Sequence, residues 1–326
     1  AGPKTLLVVI DGLDEAMGWK ASHLLPTTLG KNVKVLVAAR GNPITRDERD
    51  VLPGWTSAAV VTVPPLDRAS VKTLVTTALD LSEHEHDALL ERFYQLTEGD
   101  ALVVQLYLSL LSGSSSETPA GRLEFVIRNG ATNGAPLTGF FGRWWDDQRT
   151  QWGEAYDKHR TAVQAVLDLL ACAEGPLGQV DLLALSGLDG GAVRDALDYL
   201  KRFVIAIDGG ERFVLGHPRL RDYFADRLRQ DDTYEDRRST FLTYGERRRR
   251  ELGSTADVDT QTFRRRFGYV LRHYALHLEK DAPHDLAALM SWSWLEGWRT
   301  LDGEDGLYGG FYEDVVRAES YAGSHG

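Results

Sequence analysis

Cysteine is almost absent from this chain, which has a single one, Cys172, among 326 residues. No disulfide can therefore form within the chain, and the position of Cys172 inside an apolar run favours a small core residue over a nucleophile. Long apolar runs are also missing, since none approaches the roughly 20 residues that a membrane-spanning helix needs. The first apolar run is short and ends in acidic residues, which is not typical of a signal peptide. These absences predict a cytoplasmic protein.

Positive charge is scarce as well. The chain has 37 lysines and arginines against 48 aspartates and glutamates, which gives a net charge of −11. A protein that coats nucleic acid needs a basic surface, so this balance argues against such a role, although a local basic patch would be compatible with it. The length is sufficient for two or three globular domains with cores of their own.

A glycine-rich phosphate loop is also missing. Such a loop has the pattern G-x-x-x-x-G-K-[ST], in which backbone amides hold the phosphates and a lysine and a hydroxyl complete the site. The nearest approach is Gly30-Lys31, but Asn32 follows the lysine and Leu25 occupies the position of the first glycine. We therefore expect this chain alone to bind nucleotide weakly at best and to lack ATPase activity.

An apolar strand followed by carboxylates is present near the start of the chain. Leu6–Ile10 is an unbroken apolar run, as in the buried strands of parallel sheets, and Asp11, Asp14 and Glu15 follow it. Ligands collect at the carboxyl ends of such strands, and clustered carboxylates need a cation or protons to offset their repulsion. The pattern indicates a Mg²⁺–nucleotide site, with Asp11 on the metal and Asp14 or Glu15 acting on an attacking water. The alternative is an Asp-Gly turn before a helix whose dipole Asp14 and Glu15 favour.

Two more apolar runs, at residues 34–39 and 58–63, predict further strands of the same sheet. The segment between the first two strands is long enough only for a short helix, and this alternation fits a parallel sheet. Arg40 follows the second strand and would lie at the same sheet edge as Asp11. Its alternative role is that of a surface arginine before a Gly-Asn-Pro turn.

From residue 64 onward the pattern is mainly helical. Val71, Leu74, Val75, Ala78 and Leu79 form one apolar stripe, and residues 97–111 are predicted as a single helix. Four residues share another helical face, which we expect in a core or between domains: Phe141, Trp144, Trp145 and Gln148. Residues 156–230 predict a winged helix, with three helices followed by a hairpin within 203–215. Its third helix carries Asp195 and Asp198, which disfavours DNA binding.

The last part, residues 231–326, is again predicted to be helical, with an apolar stripe that runs from Phe263 to Leu278. His273 and His277 are four residues apart beside that stripe, but no third metal ligand is evident, so we expect a structural role. The arginine runs 247–250 and 264–266 are predicted to be solvated or to contact acidic partner surfaces.

The segment Leu6–Glu15 resembles the Walker B motif of the NACHT branch of the STAND NTPases, in which a hydrophobic run is followed by Asp-Gly-hydrophobic-Asp-Glu. The resemblance implies that Asp14 and Glu15 are catalytic and that Asp11 serves Mg²⁺. Arg40 stands where that family has its sensor 1 arginine, which contacts the terminal phosphate. In the family the phosphate loop lies upstream of Walker B, so we expect this chain to be part of a longer protein.

Two later segments are similar to the same family. Residues 99–102, Gly-Asp-Ala-Leu, match a Gly-x-Pro-Leu segment of the helical lid, with Ala101 in place of the proline that lies against adenine. Leu215–Leu220 is similar to the winged-helix histidine segment, which implies that His217 contacts the β-phosphate of ADP. The pattern YVLRHYALHL, WSWLEGW and GGFYEDV resembles the second helical domain that precedes the repeats of bacterial STAND proteins.

The resemblance implies four domains in a fold that is α/β plus all-α. These are the C-terminal half of a nucleotide-binding domain with a partial parallel P-loop sheet (1–63), a helical lid (64–155), a winged helix (156–230) and a second helical domain (231–326). It further implies an ADP/ATP-dependent signalling switch with Mg²⁺, self-oligomerisation on activation, an upstream effector segment, C-terminal sensor repeats and a role in bacterial immunity. A non-enzymatic interaction scaffold and a winged-helix DNA-binding regulator remain alternatives.

Overall fold

Two short parallel strands form the part of the chain before residue 63 that the computed structural model describes. Strand β1 (Leu6–Ile10) pairs with β2 (Val33–Val37) in register from Leu6 opposite Val33 to Ile10 opposite Val37. The described residues are 5–11, 30–38, 59, 61–81, 83–111, 118–130, 136–254, 258–303 and 308–325. The chain divides into two compact units, residues 1–63 and 64–326.

The parallel pairing of the first two predicted strands is confirmed, but two other expectations for this sheet are wrong. Leu6, Leu7 and Val9 are 58–61% exposed, so β1 is not a buried strand. Residues 61–63, which were expected in a third strand, have no strand structure. The residues of this unit that the structure describes form two strands, which cannot cover their own faces, and an apolar run is buried only where other elements pack on it.

The second unit is built mainly from helices. Its first five helices are α1 (Arg68–Leu79), α2 (Glu83–Thr97), α3 (Ala101–Leu111), α4 (Pro119–Gly130) and α5 (Pro136–Trp152). In α1, Val71, Val75 and Leu79 are buried as predicted. Leu74 is 43% exposed, so the apolar face of α1 is narrower than the sequence stripe. Asp67 begins this helix by accepting a hydrogen bond from Ser70 N at 2.7 Å.

The predicted single helix over 97–111 is wrong, because the chain turns at residues 98–100. Glu98 and Gly99 have φ angles of 50° and 72°, which end α2. A Cβ atom at Gly99 would lie 2.1 Å from the carbonyl oxygen of Leu66, so only glycine fits there. The carboxylate of Asp100 then caps α3, accepting hydrogen bonds from the amides of Leu102 (3.0 Å) and Val103 (3.2 Å).

The next elements combine three helices with a small antiparallel sheet. In chain order they are α6 (Tyr156–Cys172), β3 (Leu177–Gly178), α7 (Gln179–Ser186), α8 (Gly190–Tyr199), β4 (Val204–Ile207) and β5 (Arg212–Leu215). The sheet order is β3-β5-β4, with all neighbours antiparallel. The predicted helices and hairpin are confirmed. The sequence pattern predicts the third helix over Ala192–Arg202, but α8 ends at Tyr199, because Leu200 leaves the helical conformation with φ −90° and ψ 0°.

The remaining elements are helical, as predicted. They are α9 (Pro218–Gln230), α10 (Tyr234–Glu251), α11 (Thr260–Asp281), a 3₁₀ segment (Pro283–Leu289), α12 (Trp292–Asp302) and α13 (Gly309–His325). None of the helices in the described part of the chain is long and apolar enough to cross a membrane.

One hydrophobic core runs through the second unit from α1 to α12. Helix α5 contributes the aromatic face that the sequence predicts for a core. Phe141 lies at its centre, fully buried, with ring centroids 5.2 Å from Phe203, 4.9 Å from Tyr223 and 4.8 Å from Phe224. Cys172 is buried in the same core, and burial raises the pKa of its thiol to about 12, as fits a core residue.

The prediction of solvated or partner-binding arginine runs is wrong for Arg248. Arg248 is 8% exposed. Its guanidinium donates to the Tyr244 hydroxyl at 3.3 Å and to Glu251 at 2.8 Å. Arg266 donates to the same Glu251 carboxylate at 2.9 Å. Arg248 therefore pairs within α10, and Arg266 links α11 to α10 through the shared Glu251, a use that charge spacing along the sequence does not indicate.

Candidate functional site

The residues predicted to serve Mg²⁺ and catalysis lie only partly within the described structure. Asp11 follows β1 directly and is exposed. The amide of Ala38 donates to the carbonyl of Ile10 at 2.8 Å, so the ends of β1 and β2 meet at one edge, as expected for parallel strands. Asp14, Glu15 and Arg40 lie outside the described residues, and their roles stay predictions.

His217 lies at the start of helix α9, and its ring forms part of the helix cap. Its backbone is extended (φ −152°, ψ 136°), and Pro218 occupies the first turn. The Nδ1 atom accepts a hydrogen bond from the backbone amide of Arg219 at 3.1 Å. A ring nitrogen that accepts cannot carry a proton, so the neutral ring is protonated on Nε2. If the neutral His217 ring donates a hydrogen bond to a ligand, it therefore donates from Nε2.

Arg219 joins the start of α9 to the turn that precedes α3. Its guanidinium lies 2.5 Å from an oxygen of Asp100, and the two side chains are 44% and 15% exposed. The other oxygen of Asp100 caps α3. One carboxylate therefore holds the beginnings of two helices that are far apart in sequence.

This ion pair brings together two segments that the sequence singled out separately. The turn at 99–102 and the histidine at 217 are expected, from the family resemblance, to contact the same nucleotide. Sequence reasoning did not identify Asp100 or Arg219, because each is an ordinary charged residue beside a residue that the family resemblance singles out. No local pattern predicts that they pair.

We call Asp100, His217 and Arg219 the lid–wing junction.

His277 is a core residue of α11, and His273 is half-buried on the same helix. His277 is 1% exposed. Its Nε2 lies 2.8 Å from the Tyr269 hydroxyl, and its ring stacks on Phe241 at 4.7 Å. Burial is the main cause that lowers the pKa of both histidines, to about 4 for His273. Within the described residues, no group of three or more histidine, cysteine or carboxylate side chains could hold a metal ion.

A buried glutamate connects three elements near these histidines. Glu174 follows α6 and is 4% exposed. Both of its carboxylate oxygens accept from Lys280 of α11 at 2.7 Å, and one lies 3.5 Å from Arg221 of α9. Its backbone amide donates to the Tyr269 hydroxyl at 3.2 Å. No local pattern singles out Glu174, because its partners come from helices that are distant in sequence.

Comparisons with known proteins give little support for a family. No protein-family model matches the chain, and no curated protein matches it. Among solved structures it is similar to a Signal Transduction ATPase with Numerous Domains (STAND) protein with a tetratricopeptide repeat sensor from Pyrococcus horikoshii, at 14% identity and a TM-score of 0.35. That similarity covers 96% of this chain and 43% of the other, so this chain spans less than half of that protein. A TM-score this low carries no argument about function.

Proposed function

We propose that this chain is the middle part of a STAND-class ATPase of the NACHT branch and acts as an ADP/ATP-dependent signalling switch. In this proposal residues 1–63 belong to the nucleotide-binding domain, 64–155 form the lid, 156–230 the winged helix and 231–326 the second helical domain. The order of elements from α6 to β5, three helices with a three-stranded antiparallel sheet, supports the winged-helix assignment.

The lid–wing junction is the observation that carries the proposal. A switch of this kind needs the lid and the winged helix to meet at the nucleotide in its resting state. The contact between Asp100 and Arg219 places the turn at 99–102 beside the histidine segment. It also puts a guanidinium next to His217, where a phosphate would find a cation and an N–H donor together.

Bound ADP or ATP with Mg²⁺ would supply the charge that distinguishes the two states of the switch. In the resting state, His217 would donate from Nε2 to the β-phosphate, because Nδ1 is engaged by Arg219 N. Asp11 would hold Mg²⁺ through water, and Arg40 would contact the terminal phosphate. Asp14 or Glu15 would orient or deprotonate the attacking water.

Activation would follow exchange of ADP for ATP and would lead to self-association. The phosphate loop and effector segment expected upstream, the sensor repeats expected downstream and a role in bacterial immunity are parts of the same proposal. The DNA-binding alternative has less support, since Asp195 and Asp198 lie on α8 and Asp198 pairs with Lys201 at 3.6 Å. The scaffold alternative predicts no nucleotide dependence at all.

The decisive experiment separates the two roles of His217. His217→Ala removes the ring and the helix cap together, and the loss of a cap alone costs about 1 kcal/mol. His217→Asn keeps a good capping side chain but shortens its reach. In the form of the protein that includes the phosphate loop, we expect His217→Asn to release a fluorescent ADP analogue about ten- to a hundredfold faster than wild type. Its thermal stability should remain close to that of the wild type.

A matched control is Asp189→Asn, which changes the capping side chain of α8 in the same way. Asp189 accepts from Ala192 N at 2.9 Å, so the cap is retained and ADP release should not change. His277→Ala is unsuitable as a control, because that ring lies in the core. Release of ADP from His217→Asn at the wild-type rate would show that His217 only caps α9 and that the proposal lacks its main support.

A further inference from the structure

A large cleft lies beside the hairpin of β4 and β5, away from the residues of the lid–wing junction. Its volume is about 1040 Å³. One wall comes from the start of α7 and the hairpin turn, and the other from α11 and the end of α12. We call it the wing cleft, and its charged lining residues are Asp181, Asp208, Glu211, Arg212, Arg264, Arg265, Arg272 and Asp302.

Three of its four arginines already have partners. Arg212 donates to Asp208 at 2.5 Å within the hairpin turn. Arg265 donates to Glu211 at 2.5 Å, which links α11 to that turn. Arg264 donates to the carbonyl of Leu301 at 3.3 Å.

Arg272 differs from them, because it has no hydrogen bond or ion pair with any residue in the described ranges. Burial lowers the pKa of its guanidinium, and the nearby charges of Arg212 and Arg264 lower it further, while Asp302 and Asp208 raise it. Asp208 is already paired with Arg212, which leaves Asp302 as the nearby carboxylate that faces both Arg264 and Arg272. An anion in the cleft would add to that single carboxylate and stabilise both arginines.

The remaining buried carboxylate of the cleft is engaged elsewhere. Asp181 is 2% exposed. It accepts from the Tyr244 hydroxyl at 2.6 Å and from Gly178 N at 2.8 Å. Burial raises its pKa to about 6. Each of its oxygens accepts one of these hydrogen bonds, and within the described residues it makes no ion pair with Arg272.

We propose that the wing cleft binds a small phosphate-bearing anion, with Arg272 as its main contact and Arg212 and Arg264 contributing. Guanidinium groups suit phosphate because their planar fork matches two phosphate oxygens. The cleft has the size of a small-molecule pocket. An extended polyanion such as DNA fits less well, because Glu211 and Asp302 lie in the same lining and the chain carries a net charge of −11.

The test is a calorimetric titration of the intact chain with tripolyphosphate. We expect saturable binding that Arg272→Gln weakens by at least about tenfold, since a hydrogen-bonded charge is lost. Asp302→Asn should have the opposite effect and tighten binding by about two- to tenfold, because it removes a carboxylate that repels the anion and attracts Arg272. The control is Arg250→Gln, an exposed arginine of α10 that pairs with Glu246 and should leave the affinity unchanged.

Several outcomes would overturn the proposal. These are no saturable binding at millimolar tripolyphosphate, equal affinity in Arg272→Gln and wild type, or weaker binding in Asp302→Asn. Duplex DNA that binds more tightly than tripolyphosphate, with the same dependence on Arg272, would assign the cleft to nucleic acid instead. Arg272 is exposed enough to be replaced without a core defect, and Asp302→Asn provides an independent variant if it is not. The ADP-release assay on His217 does not involve these residues, so either proposal can fail alone.

Discussion

Similar apolar segments are exposed in the first unit of the chain and buried in the second. In the first unit, Leu7 and Val9 of β1 are 58% and 61% exposed. In the second unit, Val163 and Phe141 are fully buried in a core that joins every helix from α1 to α12. All four residues belong to apolar segments that sequence patterns predict to be buried. The described residues of the first unit form two paired strands, whereas helices of the second unit pack on Val163 and Phe141.

This comparison shows that the burial of an apolar segment depends on the elements that pack against it and not on its own sequence alone. Parallel strands are normally covered by helices on both faces. A two-stranded sheet, by contrast, has too little surface to stabilise itself in water. The described helices of the second unit cover one another around a shared core. We therefore expect substitutions to have large effects in the second unit and small ones in β1.

The largest effect should come from Phe141→Ala. This side chain is fully buried against Phe203, Tyr223 and Phe224, so its truncation should lower the free energy of unfolding by about 3–5 kcal/mol. The matched change Leu7→Ala, on an exposed strand, should alter the main urea transition by less than about 1 kcal/mol. Equal losses in the two variants would show that β1 is covered as well as the core is.

A smaller effect is expected from the half-buried histidine His273. Burial lowers its folded pKa from 6.5 to about 4, so between these values the unfolded chain binds a proton that the folded chain does not. Stability should therefore fall as the pH falls from 6.5 to 4, by roughly 1–3 kcal/mol for this residue. His273→Phe keeps a ring but cannot titrate, so its stability should depend less on pH than that of the wild type.

Urea unfolding of both proteins between pH 4 and pH 7.5 provides the measurement. His277 contributes in the same direction, since its pKa is also lowered, so His273→Phe should keep part of the slope. Asp181 has a raised pKa and contributes in the opposite direction, but it does so equally in both proteins. Parallel curves for wild type and variant would contradict the assignment of a half-buried neutral His273.

The smallest effect concerns the ion pair at the lid–wing junction. Asp100→Asn keeps the cap of α3, and Arg219→Gln removes the partner charge. Because Arg219 is 44% exposed, a double-mutant cycle should give a coupling energy of at most about 1 kcal/mol, and added salt should reduce it. Thermal unfolding of the four proteins at low and high salt measures this coupling. A value of zero at low salt would mean that the pair does not hold the two segments together.

Local periodicity predicted the helical elements well, because their apolar stripes face a core within the same unit. The face of α5 around Phe141 and the stripe of α11 illustrate this. Contacts between distant segments were not predictable in the same way. The turn at Gly99 depends on the carbonyl of Leu66, and the junction depends on Asp100 meeting Arg219. Neither contact leaves a periodic signal in the sequence.

The carboxylate of Glu174 has a mechanical consequence. It is anchored to Lys280 on α11 and to Arg221 on α9, while its own amide is tied to Tyr269. Helices α9 and α11 therefore share one buried anchor. Arg221 lies one turn after His217, so a displacement of α11 that is carried through Glu174 would act on the first turn of α9. The last helices and the lid–wing junction are thus connected through a single carboxylate.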